Sequence, residues 1–317
     1  MIIHDEYGHK EISGEYRRIV MISRFKVKYL SLLIVFLFIF ILPGCTSDLQ
    51  SITTNTPNEK ANVVVSGNLK VHFINVGQAD SILIEQDSKN MLIDAGNNGD
   101  GKLVKNYLIE KGVKTLEYVI GTHPHEDHIG GLDYVVNDFN INKIYLPKAT
   151  STTKTFQDVV VAIKNKGMKV AVPKPGDTFN LGSAKCTILA PNGSDYSSLN
   201  NHSIVIKMEF GNNSFLFTGD AESISEKEIL DKGFDVSADV LKVGHHGSHT
   251  STTDEFLSKV NPKYAVISSE VGNDYGHPHK EIISKLKSKS IQIYRTDELG
   301  TIIATSDGKT ITFNTNP

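Results

Sequence analysis

Eight of the ten histidines that follow residue 45 fall in three short windows: His123, His125 and His128; His245, His246 and His249; His277 and His279. Each window follows a short apolar run rich in β-branched residues: Tyr118-Val-Ile120, Val240-Leu-Lys-Val243 and Tyr264-Ala-Val-Ile-Ser268. Histidines with purely structural roles scatter through a sequence, whereas these gather at loops that open from strand ends, where sites are usually built. The fold of such a chain has to present those loops as a site.

The first window reads Thr122-His-Pro-His-Glu-Asp-His-Ile-Gly-Gly131. His123 and His125, two apart in an extended turn, can point to the same side. Asp127 and His128 then open a helix, with Asp127 near its N-cap. One segment thus offers two imidazoles to one metal, and a carboxylate and an imidazole to a second. Imidazole and carboxylate suit Zn²⁺, Mn²⁺ or iron, and the absence of cysteine disfavours a structural zinc site. Gly130 and Gly131 let the backbone pack closely behind such metals.

Beyond residue 66 about 250 residues remain, enough for one large domain. Short β-branched runs predict strands at 69–75, 81–85, 91–94, 118–120, 143–146, 203–210, 215–218, 240–243, 264–268, 291–294 and 301–304. Helical periodicity alternates with several of them, at 103–111, 128–137, 155–166, 223–231, 254–260 and 279–287. Hairpin-like and helix-linked strands are mixed. The expected class is α/β, with two mixed sheets between helices in a single domain over residues 67–317.

The His123–His128 segment resembles the signature of the metallo-β-lactamase fold superfamily. The resemblance extends to Phe217-Thr-Gly-Asp220, Val71-His-Phe-Ile-Asn-Val-Gly-Gln-Ala-Asp80, Asn200-Asn-His-Ser203, Leu241-Lys-Val-Gly-His-His-Gly-Ser248 and Tyr275-Gly-His-Pro-His279. This set is similar to the hydrolase domain of ComEC-type DNA-uptake channels and their stand-alone relatives, and covers residues 68 to about 313. It implies an αββα four-layer sandwich with two divalent metal ions at one edge, zinc in first place and manganese in second. It also implies that His123 and His125 serve the first metal, Asp127 and His128 the second, and Asp220 both as a bridge. His246 is favoured as the last ligand with His277 its rival, leaving His245 or His277 to contact substrate. Many superfamily members supply a third histidine to the first metal, from the region that here reads Asn200-Asn201-His202-Ser203. In the ComEC-like group that place reads Asn-Asn-x-Ser. His202 then occupies the variable position, and Asn201 or water completes the shell.

The one long apolar run, Tyr29–Leu42, has fourteen residues, short of the about 20 that a spanning helix needs. Arg24, Lys26 and Lys28 precede it, as in the basic region of a secretory signal. It ends in Leu42-Pro-Gly-Cys45, which resembles the lipobox of bacterial lipoproteins. The expected organisation is a leader over residues 1–44 with a lipoprotein signal peptide, a lipid on Cys45, and a flexible polar tether over 45–66. That would anchor the protein by its lipid to the extracellular face of a bacterial cell membrane. Cys186 is then the remaining thiol and reads as a small core residue.

Other polar residues have plainer readings. Asp94 fits equally a partner behind a metal-ligating histidine and a turn aspartate. Asp80 reads as a turn residue and His72 as a core histidine. Ser248 can bind a phosphate oxygen, though a Gly-Ser turn explains it as well; Asn201 is grouped with it as a substrate contact.

Three functions compete. The leading one is a surface-tethered phosphodiesterase or nuclease in which a metal-bridging hydroxide attacks phosphorus. Asp127 would steer the proton, with His245 or His277 near the leaving oxygen. DNA or a small phosphodiester would be the substrate, and no obligate protein partner is inferred. The alternative is hydrolysis of another extracellular ester or amide, such as a phosphocholine ester or β-lactam. The third is a non-catalytic metal-binding surface protein. A net charge of −3 without a continuous Lys/Arg face argues against a protein that coats nucleic acid.

Overall fold

Alternation along single strands sets the architecture. In a strand, successive side chains leave opposite faces. In the segment Met91-Leu-Ile93, Met91 and Ile93 belong to one buried cluster and Leu92 to another. In Phe215-Leu-Phe217 the two phenylalanines join the same central cluster while Leu216 joins a third. Strands buried on both faces read as continuous apolar runs, and such strands need a layer on either side.

The computed structural model describes residues 65–316. The leader, Cys45 and the tether as far as residue 64 lie outside the described residues. No helix of the described residues is long and apolar enough to cross a membrane.

Along the chain, the first half supplies β1 (Leu69–Phe73), β2 (Ser81–Gln86), β3 (Lys89–Ala95), β4 (Thr115–Ile120), β5 (Asn140–Tyr145) and β6 (Val170–Ala171). Between them run α1 (Gly101–Glu110), α2 (Glu126–Ile129), α3 (Leu132–Asp138) and α4 (Lys154–Asn165). The second half supplies β7 (Thr178–Leu181), β8 (Ala184–Ala190), β9 (Val205–Phe210), β10 (Asn213–Phe217), β11 (Val240–Lys242), β12 (Tyr264–Ile267) and β13 (Gln292–Arg295). Its helices are α5 (Ser223–Asp231), α6 (Asp254–Val260) and α7 (Lys280–Ser288); the short α8 (Thr296–Leu299) then leads into β14 (Thr301–Ser306) and β15 (Ile311–Asn316).

The sheets run β15-β14-β1-β2-β3-β4-β5-β6 and β13-β12-β11-β10-β9-β8-β7. Each begins as an antiparallel meander and changes to parallel pairing, at β3–β4 in one and β10–β11 in the other. Between the sheets lie Phe73, Ile93, Phe210, Phe215, Phe217 and Val266. Val104, Leu108, Val135 and Val159 bring helices onto the outer face of the first sheet. Ile229, Phe256, Leu257 and Leu286 do so on the second. The result is the expected αββα sandwich.

The helix expected over 128–137 is divided. Gly131 (φ −90°, ψ 0°) separates α2 from α3, and a Cβ on it would lie 2.4 Å from the Ala95 carbonyl oxygen. A Cβ on Gly130 would lie 2.2 Å from the Asn98 backbone nitrogen. Both positions therefore require glycine if α2 is to lie against the end of β3.

Cys186 is fully buried between the sheets, and burial pushes its thiol up from the ordinary range. In a Cys45→Ser chain we expect a disulfide reagent such as DTNB to leave the native protein unlabelled. Complete unfolding in denaturant should then release one equivalent of thiol.

Candidate metal centre

The parallel strands carry the chemistry at their carboxyl ends, where open α/β sheets build their crevices. Asp94 sits at the end of β3, His123 just past β4, Asp220 just past β10, and His245 and His246 just past β11. The two changes from antiparallel to parallel pairing bring these ends together.

Asp94 organises the first group. Its carboxylate accepts hydrogen bonds from the Thr122 backbone N–H (2.8 Å) and hydroxyl (2.7 Å), and stands 2.8 Å from His128 Nδ1. With Nδ1–H donated to Asp94, His128 presents Nε2 to the centre, 3.2 Å from Asp220 Oδ2 and 3.6 Å from Asp127 Oδ2. Of its two sequence readings, this contact fits the partner behind His128. His123 places Nε2 3.0 Å from His125 Nδ1 and 3.8 Å from Asp220 Oδ2. Ser203 accepts the Asp220 backbone N–H at 3.0 Å, and its hydroxyl lies 3.3 Å from His123 Nδ1.

The second group rests on a strained turn. His245 (φ 50°, ψ 48°) and His246 (φ 53°, ψ 22°) are consecutive non-glycine residues in left-handed conformation. Each such residue costs on the order of 1–3 kcal/mol and clusters at functional sites. The turn sends the two rings to the two oxygens of one carboxylate: His245 Nε2 lies 3.7 Å from Asp220 Oδ2, and His246 Nε2 3.7 Å from Asp220 Oδ1. His246 Nε2 is also 3.2 Å from Asp127 Oδ2. The far nitrogens are anchored, His246 Nδ1 on the Ser268 carbonyl at 3.1 Å and His245 Nδ1 beside the Thr250 hydroxyl at 3.0 Å. Anchoring of this kind fixes a ligating imidazole's orientation.

The remaining polar residues singled out in the sequence take the following places. Asn201 is 1% exposed, with Oδ1 accepting the Glu222 and Ser225 backbone N–H groups and Nδ2 donating to Glu222. It braces the start of α5, its amide engaged with Glu222 and the backbone of Glu222 and Ser225. Ser248 is buried, and its hydroxyl is taken up by Thr250. His202 packs edge-on against Tyr196, 4.9 Å between ring centres, outside the cluster. Asp80 is more than a turn residue: 1% exposed, it holds the equally buried Lys242 ammonium at 2.9 Å and donates its backbone N–H to the Asp127 carbonyl. His72 is the core histidine expected, between Tyr107 and Glu85.

His277 borders a cleft of about 320 Å³ with Gln78, His125, Glu126, Asp127, Asp220, His245, His246 and Tyr275. Gln78 Oε1 accepts the Glu270 backbone N–H at 3.3 Å, which turns its amide nitrogen toward His277 Nδ1 at 3.2 Å. That nitrogen is then the acceptor, and the His277 proton sits on Nε2. Burial, with His245 and His246 alongside, pushes the His277 pKa down to about 4, so the ring is neutral at pH 7.

Electrostatics favour a cation at the centre. Burial opposes the charged form of His128, but Asp220, Asp127 and Asp94 outweigh it and hold its pKa well above the usual histidine value. Burial likewise opposes ionisation of Asp220, yet His128 and His246 keep it well below the carboxylate range. Burial, with His128 beside it, holds the His123 pKa well below the usual histidine value against the opposing pull of Asp220. Asp127, His128, Asp220 and His246 each direct a ligand atom to within 4.8 Å of all the others. Two buried atoms of that group, His128 Nε2 and Asp220 Oδ1, have no hydrogen-bond partner. Buried polar groups are rarely left so, and the donor set fits a divalent metal bound by imidazole and carboxylate.

An αββα sandwich with a candidate histidine–aspartate metal site at its edge is the architecture of the metallo-hydrolase fold. The chain belongs to the metallo-beta-lactamase superfamily, which residues 74–269 match. It is 33% identical over 267 residues to ComE operon protein 3 of Bacillus subtilis, covering 78% of this chain and 34% of that protein. It is 31% identical over 225 residues to Recombination protein 2 of Haemophilus influenzae, covering 68% of this chain and 26% of that one. The chain thus spans about a third or less of the length of these curated relatives. Among solved structures, the metallo-beta-lactamase fold protein YhfI of Bacillus subtilis shares the fold, with a TM-score of 0.50 at 17% identity over 76% of this chain and all of that one.

Replacing Asp94 with alanine removes the acceptor that fixes the His128 tautomer. We expect metal affinity to fall about 10–100-fold, the usual range for a lost outer partner, as read by calorimetric titration with Zn²⁺.

Proposed function

We propose that this chain is a metal-dependent phosphodiesterase that holds two divalent ions, zinc or manganese, and works outside the cell on a lipid anchor at Cys45. One observation carries the reading: the buried Asp220 carboxylate is met by His123, His128, His245 and His246, all within 3.8 Å. A carboxylate so placed suits a bridge between two donor sets. Asp127, His128 and His246 form one set; His123 and His125, completed by His245, form the other. In this arrangement His245 stands where the Asn200–Ser203 segment supplies no histidine. Metals held there would supply an activated water at neutral pH and neutralise charge on the attacked centre.

The chain's own residues do the rest. Asp127 faces the cleft with its side chain 32% exposed, and is the carboxylate placed to accept a proton from the attacking water. Neutral His277 offers Nε2–H to an oxygen of the substrate, as donor and not as cation. Gln78 holds that ring in place. Neither Lys nor Arg lines the cleft, so a long polyanion gains little from it, and a small phosphodiester or a single nucleic-acid end fits better. The relatives' names, among them Competence protein ComA of Neisseria gonorrhoeae, accord with DNA as a source of such ends.

Purified protein loaded with Zn²⁺ or Mn²⁺ should cleave bis(p-nitrophenyl) phosphate. A chelator or Asp220→Ala should abolish turnover, and His245→Ala should lower metal content measured by mass spectrometry from two ions toward one. Metal-replete protein that leaves the ester intact would overturn the reading. Separately, Cys45→Ser should move the protein from the membrane fraction into the medium, as followed by immunoblot.

A further inference from the structure

Tyr275 is 68% exposed at the rim of the same cleft, an uncommon place to leave a large aromatic ring. Its loop is held, not loose. Asn273 Oδ1 accepts the backbone N–H groups of Tyr275 (3.2 Å) and His277 (3.0 Å). Asn273 Nδ2 donates to the carbonyls of Glu270 (2.8 Å) and His277 (2.6 Å). The tyrosine ring lies nearly parallel to His277, with centres 5.6 Å apart and planes 20° apart. His277 in turn lies nearly parallel to His246, at 6.4 Å and 24°. Three rings thus form a row from the metal centre to solvent, and the row ends on an aromatic face.

Charge around the row narrows what can use that face. The adjoining groove, about 560 Å³, is bordered by Asp100 and Glu270, with Asp297 paired to Arg295, and neither Lys nor Arg lines it. A polymer of phosphates laid along this side would meet like charge. A ligand with one phosphate at the metals and one flat ring on Tyr275 would avoid that penalty, and stacking is a sequence-tolerant source of affinity for a base. The 320 Å³ cleft lies at the small end of ligand sites, which run from about 300 to 1,000 Å³.

We propose that Tyr275, backed by His277, is a stacking subsite for one planar ring of a nucleotide-like phosphodiester whose phosphate sits at the metal centre. This rests on the phosphodiesterase reading and narrows its substrate to a mononucleotide unit or a single-stranded end.

The test is binding of 1,N6-ethenoadenosine 5′-monophosphate to the purified, Zn²⁺-loaded full chain, followed by fluorescence anisotropy, with ribose 5-phosphate as competitor. Stacking on one base is worth about 1–3 kcal/mol, so Tyr275→Ala should weaken the nucleotide about 5–150-fold and ribose 5-phosphate far less. Tyr275→Phe should bind like the parent. Equal affinity in Tyr275→Ala overturns the subsite, and so does an equal loss for both ligands, which would mark a loop effect instead. Turnover of bis(p-nitrophenyl) phosphate on the same preparation separates the two ideas. Tyr275-dependent nucleotide binding without turnover sinks the phosphodiesterase reading and leaves the subsite standing; turnover with Tyr275-independent binding does the reverse.

Discussion

The carboxylate of Asp220 is 1% exposed and stands among four imidazoles. An ionised carboxylate carried into a protein interior without partners costs several kcal/mol. The surroundings of Asp220 read as the answer to that cost. Ser203 fixes its backbone, and His123 and His128 approach from the end of β4. His245 and His246 approach from the end of β11. Both sheets must therefore present their parallel carboxyl ends to one edge, and the phenylalanine-rich interface between them holds those ends in register.

A second buried charge ties the two halves together. Lys242, at the end of β11, pairs with Asp80, just before β2, and both are almost fully buried. Burial pulls Asp80 toward the neutral form, but Lys242 and then His246 outweigh it and hold it ionised. Breaking a buried pair by removing one partner is far costlier than the pair's net contribution. Asp80 also donates its backbone N–H to the Asp127 carbonyl, so the pair fixes the segment bearing Asp127 against the strand that leads to His245 and His246. Its place is mechanical, and it lies behind Asp127 and His246.

What was legible in the sequence follows from this division. His123, His125, Asp127 and His128 share one short segment, so spacing and the Gly130-Gly131 pair disclosed them locally. The helices appeared nearly whole because their apolar periodicity is local too. Lys242 was hidden because, inside Val240-Leu-Lys-Val243, it reads as an outward position of a strand; its partner comes from the other sheet. Four strands, β6, β7, β8 and β15, lie outside the β-branched runs; β6 has only two residues, and polar residues interrupt the apolar ones in the others, as in Thr178-Phe-Asn-Leu181 and Ala184-Lys-Cys186. Asn201 and Ser248 turn to bonds within the protein, which closeness in sequence to His202 or His246 does not disclose. Tyr275 had no signal beyond its motif, because its exposure depends on the loop that Asn273 ties.

His245 shows most clearly how backbone and site depend on each other. Adjacent side chains in extended backbone diverge, so a His-His pair there offers one ring to a given carboxylate. Both rings reach Asp220 here because His245, His246 and Gly247 all adopt positive φ. The turn is held by hydrogen bonds at its own ends: His245 N–H donates to the Gly219 carbonyl at 3.1 Å, and Ser248 N–H to the His245 carbonyl at 2.7 Å. Gly247 packs against Pro278, where a Cβ would lie 2.6 Å from the proline's own. The residue that receives the first of these bonds, Gly219, is the neighbour of Asp220. Strained turn and buried carboxylate are thus fastened to one another through a single peptide, and a change that relaxed the turn would withdraw imidazoles from the carboxylate they accompany.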